Sequence, residues 1–423
     1  MSIVRLRHLA EVNPLTPAFE RLANEEELTF LPMEAVWPGE RLDISRRRTK
    51  SSVATGYTRF QDGDILVPKI TPTFEAGRAV LIRGLHRGVG TGSTELHVLR
   101  PGPHIDPRFL LYVVNTHSFL KKGEAEMYGV AGQQRVPDVF LRDLPVQLPS
   151  LEEQCRIADF LDAETARFEA LASKRNSQIK GLAERELALI VDMLSGGGKS
   201  GKGKPTGWPW LPEIPIEWSV GPVYAYFYTE LGKMLNAGRA SGPEQRPYLR
   251  NANVHWYTIE TDDLATMDFS ADEVSRYSVR QGDLLVCEGG AGVAEAAVWD
   301  GRLQECYFQK SLHRVRRAGL VPVEWLMYWL RLAKACGVFE AEGNIATIPH
   351  LTGEQLRQYR IPIPVDGDTL VKRTGEEIAR LTSVRTNLRQ AQTLLAERRQ
   401  ALITAAVNGQ IDVSTASGRG IEE

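Results

Sequence analysis

Two stretches of this chain carry the same helical signature. From Glu152 to Ser195 there is no proline and one glycine, Gly181. Across it Ile157, Leu161, Phe168, Leu171, Ile179, Leu182, Leu189 and Met193 fall at spacings of three, four, seven and eight residues, all close to whole helical turns. Such spacing draws one apolar stripe along a helix, and Gly196 is placed to stop it. A second stripe, Ile378, Leu381, Val384, Leu388, Leu395, Leu402 and Ala405, runs from about Thr369 to Asn408, with Gly409 as its stop. About 40 residues at 1.5 Å each predict two rods of roughly 60 Å. Matching stripes predict that the rods pack on each other as an antiparallel coiled coil; the alternative is that each packs on its own globular half.

The residues ahead of each rod have a different texture. Asp64-Ile65-Leu66-Val67 follows a glycine turn and has the unbroken apolar run of a buried strand. Leu81-Ile82 and Leu96-His97-Val98-Leu99 read as further strands, with glycine and proline between them. Short helices are expected over Pro107–Asn115 and Pro322–Leu332. Strands preceding helices predict an α+β fold.

These textures occur twice because the chain repeats itself. Phe30-Leu31 and Val36 answer to Tyr248-Leu249 and Val254. Gly63-Asp64-Ile65-Leu66-Val67 answers to Gly282-Asp283-Leu284-Leu285-Val286, and Leu96-His97 through Arg100 to Leu312-His313 through Arg316. Phe109-Leu110 and Tyr112 match Trp325-Leu326 and Tyr328; Val136-Pro137 matches Ile348-Pro349; Val146 to Pro149 matches Ile361 to Pro364. Ala183-Glu184-Arg185 and Gly196 match Ala396-Glu397-Arg398 and Gly409. Seven matches in order, with a slowly drifting offset, mean duplication. Between the halves a glycine- and lysine-rich segment, Ser195 to Lys204, reads as a flexible basic linker. Trp208-Pro209-Trp210-Leu211-Pro212 reads as a proline-stiffened lead into the second half.

Composition narrows the function. The 423 residues can form two or more cores. Lys and Arg number 51 against 53 Asp and Glu, a net charge of -2, which argues against coating DNA by bulk charge and leaves room for a local basic face. Cys155, Cys287, Cys306 and Cys336 form no CxxC pair, so free buried thiols are expected, and no metal site. No signal peptide and no apolar run of ~20 residues are visible, and the chain is expected to be cytoplasmic.

Catalytic motifs are scarce. Gly198-Lys199-Ser200 resembles the end of a phosphate-binding loop, but Met193 stands where the first glycine belongs and a helix, not a strand, precedes it. Gly289-Gly290-Ala291-Gly292 lacks dinucleotide spacing and reads as a loop in close approach to something. No GxSxG, HExxH or kinase set occurs. His97 and His313 hold equivalent strand positions and are expected to be structural, and turn chemistry accounts for Asp64 and Asp283.

Polar loop residues suit DNA reading instead. Arg46, Arg47, Arg48 and Lys50 form a basic cluster suited to phosphates, or a solvated surface run. Lys69, Thr71 and Thr73 follow the Asp64 strand; Thr91, Ser93 and Thr94 precede the next; Gln133, Gln134 and Arg135 offer groups that match adenine and guanine edges. The second half holds Arg250, Asn251, Asn253, Glu288, Gln309, Lys310, Asn344 and Thr347 at the corresponding places. A repeated skeleton with differing polar tips predicts one scaffold reading two short sequences.

The chain resembles the DNA-specificity subunit of type I restriction–modification systems. The resemblance rests on Leu144-Pro145-Val146-Gln147-Leu148-Pro149-Ser150-Leu151-Glu152-Glu153-Gln154 with Ile157-Ala158 and Leu161-Asp162, on Trp208 through Pro215 to Trp218, and on Leu394 through Ile403 ending Asn408-Gly409-Gln410-Ile411. The second helix lacks the Glu-Glu-Gln that opens the first. The resemblance implies an α+β chain of two repeated α/β target-recognition domains, 1–150 and 218–365, with conserved helices 151–196 and 366–412, a linker 197–217 and a flexible tail 413–423. It implies a bipartite, asymmetric double-stranded DNA target, two adenine-N6 methyltransferase subunits and translocating restriction subunits as partners. S-adenosylmethionine, ATP and Mg would then belong to those partners, with no cofactor or catalytic residue on this chain. Two other readings stay open: a nuclease without a recognisable motif, and an adaptor whose repeated domains bind protein.

Overall fold

The computed structural model describes residues 2–36, 42–130, 132–197, 203–235, 240–341 and 350–413. The chain divides into two compact units, Met1–Asn176 with Arg389–Glu423, and Ser177–Leu388.

In the first unit the strands are β1 (Ser2–Arg5), β2 (Ala10–Val12), β3 (Glu27–Leu31), β4 (Arg47–Thr49), β5 (Thr58–Gln61), β6 (Ile65–Pro68), β7 (Val80–Leu81), β8 (Val89–Gly92) and β9 (Leu96–Pro101). Helix α1 (Pro107–Val113), strand β10 (Pro145–Leu148) and the first part of α2 (Leu151–Leu194) follow. One sheet has the order β2-β9-β6-β7, the other β4-β3-β8-β5, and β1 pairs with β10. The pairing of β3 with β8 is parallel, whereas every pair in the first sheet is antiparallel. Strand β6 is buried at all four positions, as its apolar run predicts.

In the second unit, β11 (Gly203–Trp208) and β12 (Leu211–Pro215) form a hairpin within the stretch that reads as linker and lead. Trp208 and Trp210 stack at 5.4 Å there, and Trp210 meets Trp329 edge-on at 6.0 Å. Then come β13 (Ser219–Pro222), β14 (Phe227–Leu231), β15 (Gln245–Leu249), β16 (Ala265–Asp268), β17 (Leu284–Cys287), β18 (Ala296–Val298), β19 (Tyr307–Phe308) and β20 (Leu312–Arg317). Helix α3 (Val323–Ala335), β21 (Arg360–Ile363) and the first part of α4 (Gly367–Val407) complete it. The sheet orders are β14-β20-β17-β18 and β16-β15-β19, with β13 paired to β21. The parallel pair recurs as β15 with β19, and a single bridge, Ser278 to Tyr307, stands where the first unit has β5 against β8. The duplication seen in the sequence is therefore a duplication of topology.

The long helices span 44 and 41 residues. Each ends at a glycine in the left-handed region, Gly196 at φ 108° and Gly409 at φ 66°, which glycine adopts without the strain a Cβ would bring. In the first unit Ile157 and Leu161 of α2 enter one core with Ile403, Ala406 and Val407 of α4, together with Ile65, Leu99, Phe109 and Val146. Arg175 Nη1 donates to the Ala391 carbonyl at 2.7 Å, and Gln392 Nε2 to Asn176 Oδ1 at 2.7 Å. In the second unit Ile190, Met193 and Leu194 of α2 share a core with Leu370 and Ile378 of α4, and with Val286, Trp325 and Trp329. Within each unit the two helix segments thus run antiparallel, and both packing modes open to the sequence occur at once. The helices face each other, and one end of each is anchored in the local domain core.

The four cysteines are free thiols, Cys287 and Cys306 buried, Cys155 half-buried and Cys336 exposed, so burial holds for only part of that set. Burial pushes the Cys287 and Cys306 thiols up to about 12. No helix among the described residues is long and apolar enough to cross a membrane.

Candidate nucleic-acid interface

Each unit carries the same polar lock beneath its loops. Gly63, at φ 90°, turns the chain into β6, and the buried carboxylate of Asp64 accepts the Gln61 amide at 2.9 Å. It also takes both Arg100 Nε and Nη2, at 2.8 and 2.9 Å. In the second unit Gly282 has φ 86°, Asp283 accepts the Arg280 amide at 2.7 Å, and Arg316 reaches the carboxylate at 2.6 and 2.9 Å. The aspartates therefore do more than complete a turn: each neutralises an arginine from the neighbouring strand.

The histidines are duplicated in role as well. His97 Nε2 lies 2.9 Å from the Val136 carbonyl, and His313 Nε2 lies 2.7 Å from the Leu351 carbonyl. Both rings are buried, and burial holds both pKa values below the usual histidine range. Each ties the end of a core strand to a distant loop. The same loops are stitched by backbone. Lys69 N donates to the Glu95 carbonyl and Val136 N to the Lys69 carbonyl, at 3.0 and 2.8 Å. Glu288 N donates to the Ser311 carbonyl and Leu351 N to the Glu288 carbonyl, at 2.9 and 2.6 Å.

On this frame the first unit gathers Lys69, Thr71, Ser93, Thr94, Gln133, Gln134 and Arg135 at one lip, through the bridges of Arg135 to Ile70 and Tyr128. Gln133 and Thr94 are exposed. Arg135 is engaged internally, Nε and Nη2 each 2.9 Å from the Glu95 carboxylate, and that pairing holds Glu95 below the usual carboxylate range. Lys69 is half-buried, which lowers its pKa, and it lines a cleft of about 540 Å³ with Asn13, Thr16, Tyr57 and Arg59. Arg46, Arg47 and Arg48 lie beside β3. Arg46 meets Glu34 at 3.0 Å, Arg47 donates to Thr29 Oγ1 at 3.1 Å, and the Arg48 guanidinium stands 5.5 Å from the Phe30 ring centre.

Several candidates face inward. Thr91 is fully buried and donates to the Thr58 carbonyl at 3.0 Å. Thr73 Oγ1 donates to the Ile70 carbonyl at 2.8 Å, and Thr71 Oγ1 accepts the Gln134 amide at 3.2 Å. Lys50 Nζ donates to the Glu20 and Leu22 carbonyls at 3.0 and 2.6 Å. Asn253 is buried, its amide donating to the Glu260 and Asp263 carbonyls. These side chains satisfy nearby loop backbone and, for Thr91, a carbonyl at the end of β5. As placed, Thr91 and Asn253 are buried, and the Thr73 hydroxyl and the Lys50 ammonium are engaged by backbone carbonyls.

The second unit gathers Asn251, Glu288, Gln309 and Lys310 in the same way. Asn251 Nδ2 donates to the Gly289 carbonyl at 2.8 Å, and Gln309 Nε2 to Ser311 Oγ at 3.1 Å. Arg250 pairs with Asp263 at 2.8 Å, and Lys310 is exposed. The close approach expected of the glycine-rich loop is to His350, whose ring sits 2.8 Å from where a Gly289 Cβ would stand. Asn344, Thr347 and the Gly198-Lys199-Ser200 segment lie outside the described residues.

The sequence reading missed Glu186. It is 1% exposed, yet it receives Arg331 Nε at 2.8 Å, Arg385 Nη1 at 2.6 Å and the Tyr257 hydroxyl at 2.8 Å. Burial pushes this carboxyl up, but Arg331, Tyr257 and Arg385 outweigh it and leave it below the usual range. Its signal was present: Glu186, Ile190 and Met193 stand four and seven residues apart on one helix face.

Comparison with known proteins agrees with this arrangement. The sequence pattern of the type I restriction modification DNA specificity domain matches residues 55–181. Two Escherichia coli proteins share sequence with the chain. The type I restriction enzyme EcoAI specificity subunit is 40% identical over 156 residues, 36% of this chain and 26% of that protein. The EcoEI specificity subunit is 39% identical over 153 residues, 35% of this chain and 25% of that protein. The match thus spans about a quarter of each relative's length. In three dimensions the chain is similar to one from a structure described as the "structural basis underlying complex assembly and conformational transition of the type I R-M system". The TM-score is 0.69 at 15% identity, covering 97% of this chain and 98% of the other, which is a likeness of fold.

Proposed function

We propose that this chain, which carries the DNA specificity domain of type I restriction modification systems, is the subunit that reads a bipartite, asymmetric double-stranded DNA target and does no chemistry itself. The observation that carries the reading is the duplicated frame with unlike tips. Asp64 with Arg100 and His97 recur as Asp283 with Arg316 and His313, while the residues the frames present differ. A scaffold duplicated for strength alone would have no reason to keep the locks and the histidines while changing the residues at its lips. A scaffold that reads two half-sites would have to, because base edges differ in their donors and acceptors.

In this reading 1–150 and 218–365 are the recognition domains, 151–196 and 366–412 the conserved helices, 197–217 a linker and 413–423 a tail. The lips around Lys69 and Glu288 meet the grooves, and Arg46, Arg47 and Arg48 steady the backbone. Two adenine-N6 methyltransferase subunits dock on the chain, and restriction subunits join them for translocation and cleavage in the cytoplasm. S-adenosylmethionine, ATP and Mg act on those partners, which also extrude the target adenine. The test is footprinting of the chain with its methyltransferase partners. Two protected half-sites flanking an indifferent spacer support the reading, and uniform or absent protection refutes it.

A further inference from the structure

Lys69 and Glu288 occupy the same place in the two repeats. Each follows the last residue of the central core strand, β6 or β17. Each donates its amide to the residue before the next core strand, and each accepts an amide from the loop that a buried histidine anchors. The backbone setting is common; the charge is opposite.

Neither side chain is used by the fold. Both are half-buried, and no hydrogen bond or ion pair reaches the Lys69 ammonium or the Glu288 carboxylate among the described residues. This sets them apart from the Arg135 guanidinium and the Asn251 amide nitrogen. Arg135 beside Lys69 is held by Glu95, while Asn251 beside Glu288 is held by the Gly289 carbonyl. Glu95 and Asp138 act on Lys69 only at a distance, as Glu288 does on His313, and a half-buried charge with no hydrogen-bonded partner costs free energy that a scaffold would have no reason to bear. Residues kept for the scaffold, the Asp–Arg locks and the histidines, are the same in both units.

We propose that this shared position determines specificity: Lys69 addresses the acceptor edge of a guanine in one half-site, and Glu288 the exocyclic amino group of a cytosine in the other. The inference rests on the DNA-reading function proposed above and names the bases. An ammonium has three donors and no acceptor, so among major-groove edges it suits guanine O6 and N7. A carboxylate only accepts, which suits the cytosine N4 amino group. Phosphate contact is a poor alternative for the position, because Glu288 would be repelled by the backbone that Lys69 would seek. Around Lys69 the exposed Gln133 belongs to the same lip, and around Glu288 so does Gln309.

The test uses the full chain co-expressed with its methyltransferase partners in cells that lack other adenine methylation, with the methylated motif read by sequencing. Lys69→Glu should invert one position of one half-site from guanine to cytosine, by about tenfold in relative methylation or more. Glu288→Lys should do the reverse at one position of the other half-site. Lys69→Met and Glu288→Gln, which keep the bulk and remove the charge, should relax those positions without inverting them. A bipartite motif unchanged at every position in all four variants overturns the inference and leaves the function standing. Methylation falling equally at all sites while the partners stay bound also overturns it, because that is how a phosphate or scaffold contact behaves. A wild-type complex with no bipartite motif refutes the function itself, and the inference with it.

Discussion

Glu186→Gln is the sharpest probe of how the second unit is held together. The substitution keeps the side chain's size and one acceptor oxygen but removes the charge that Arg331 and Arg385 share. Those arginines have side chains only 16% and 14% exposed, so neither can recover its hydration in place. Removing one partner from a buried ion pair costs about 3–5 kcal/mol, most of it the penalty of the charge left behind. For a unit of this size each kcal/mol lowers the melting temperature by about 2–4 °C, so the variant should melt roughly 6–20 °C below the parent. The pH dependence has a definite sign. The folded-state pKa of Glu186 lies below its unfolded value. Its contribution is therefore fully present above the unfolded value and is lost as pH falls through the folded one. The gap between parent and variant should hold constant at neutral pH and close only in acid. Differential scanning calorimetry across pH measures both. A shift at neutral pH of less than about 1 °C would refute the reasoning, as would a gap that widens on acidification.

Two further substitutions test the frame and the electrostatics separately. Asp64→Asn and Asp283→Asn each strand a strand-bound arginine and should cost about 3 kcal/mol, with amide hydrogen exchange accelerating within the unit that carries the change; equal acceleration in both units would contradict the duplicated-lock account. Arg48→Ala removes a guanidinium that, among the described residues, meets the Phe30 ring and no hydrogen-bonded partner. In binding measured against salt it should lower the log–log slope by about one with little change in preferred sequence; an altered motif would move Arg48 from backbone to base contact.

Much of the fold was legible because periodicity is a local property. The apolar stripes located α2 and α4 to within a residue or two, and Asp64 to Val67 announced β6. The repeat also told which positions were frame, since His97 and His313 were expected to be structural and are buried. What stayed hidden depends on pairings distant in sequence. Thr91 and Lys50 look like ligand-facing polar residues until Thr58, Glu20 and Leu22 are seen to offer carbonyls to them. Arg135 looks free until Glu95, forty residues away, closes on it. The hairpin of β11 and β12 was masked by glycine and proline, which mark a flexible stretch and a tight turn equally well. Glu186 could have been found by asking which charged residue interrupts an apolar helix face. For the candidate interface the sequence supplied residue types and the repeat supplied correspondence. Only the structure separated Lys69 and Glu288 from neighbours already spoken for.

The central claim is that one chain reads two different half-sites with two copies of one frame. Footprinting at base resolution of the chain bound with its methyltransferase partners tests it most directly. The account predicts two protected blocks of unlike sequence, divided by a spacer of fixed length and free composition. Replacing 1–150 with the corresponding region of another specificity subunit should then change one block and leave the other as it was. A single continuous block, two identical blocks, or a change in both on exchanging one domain would contradict it.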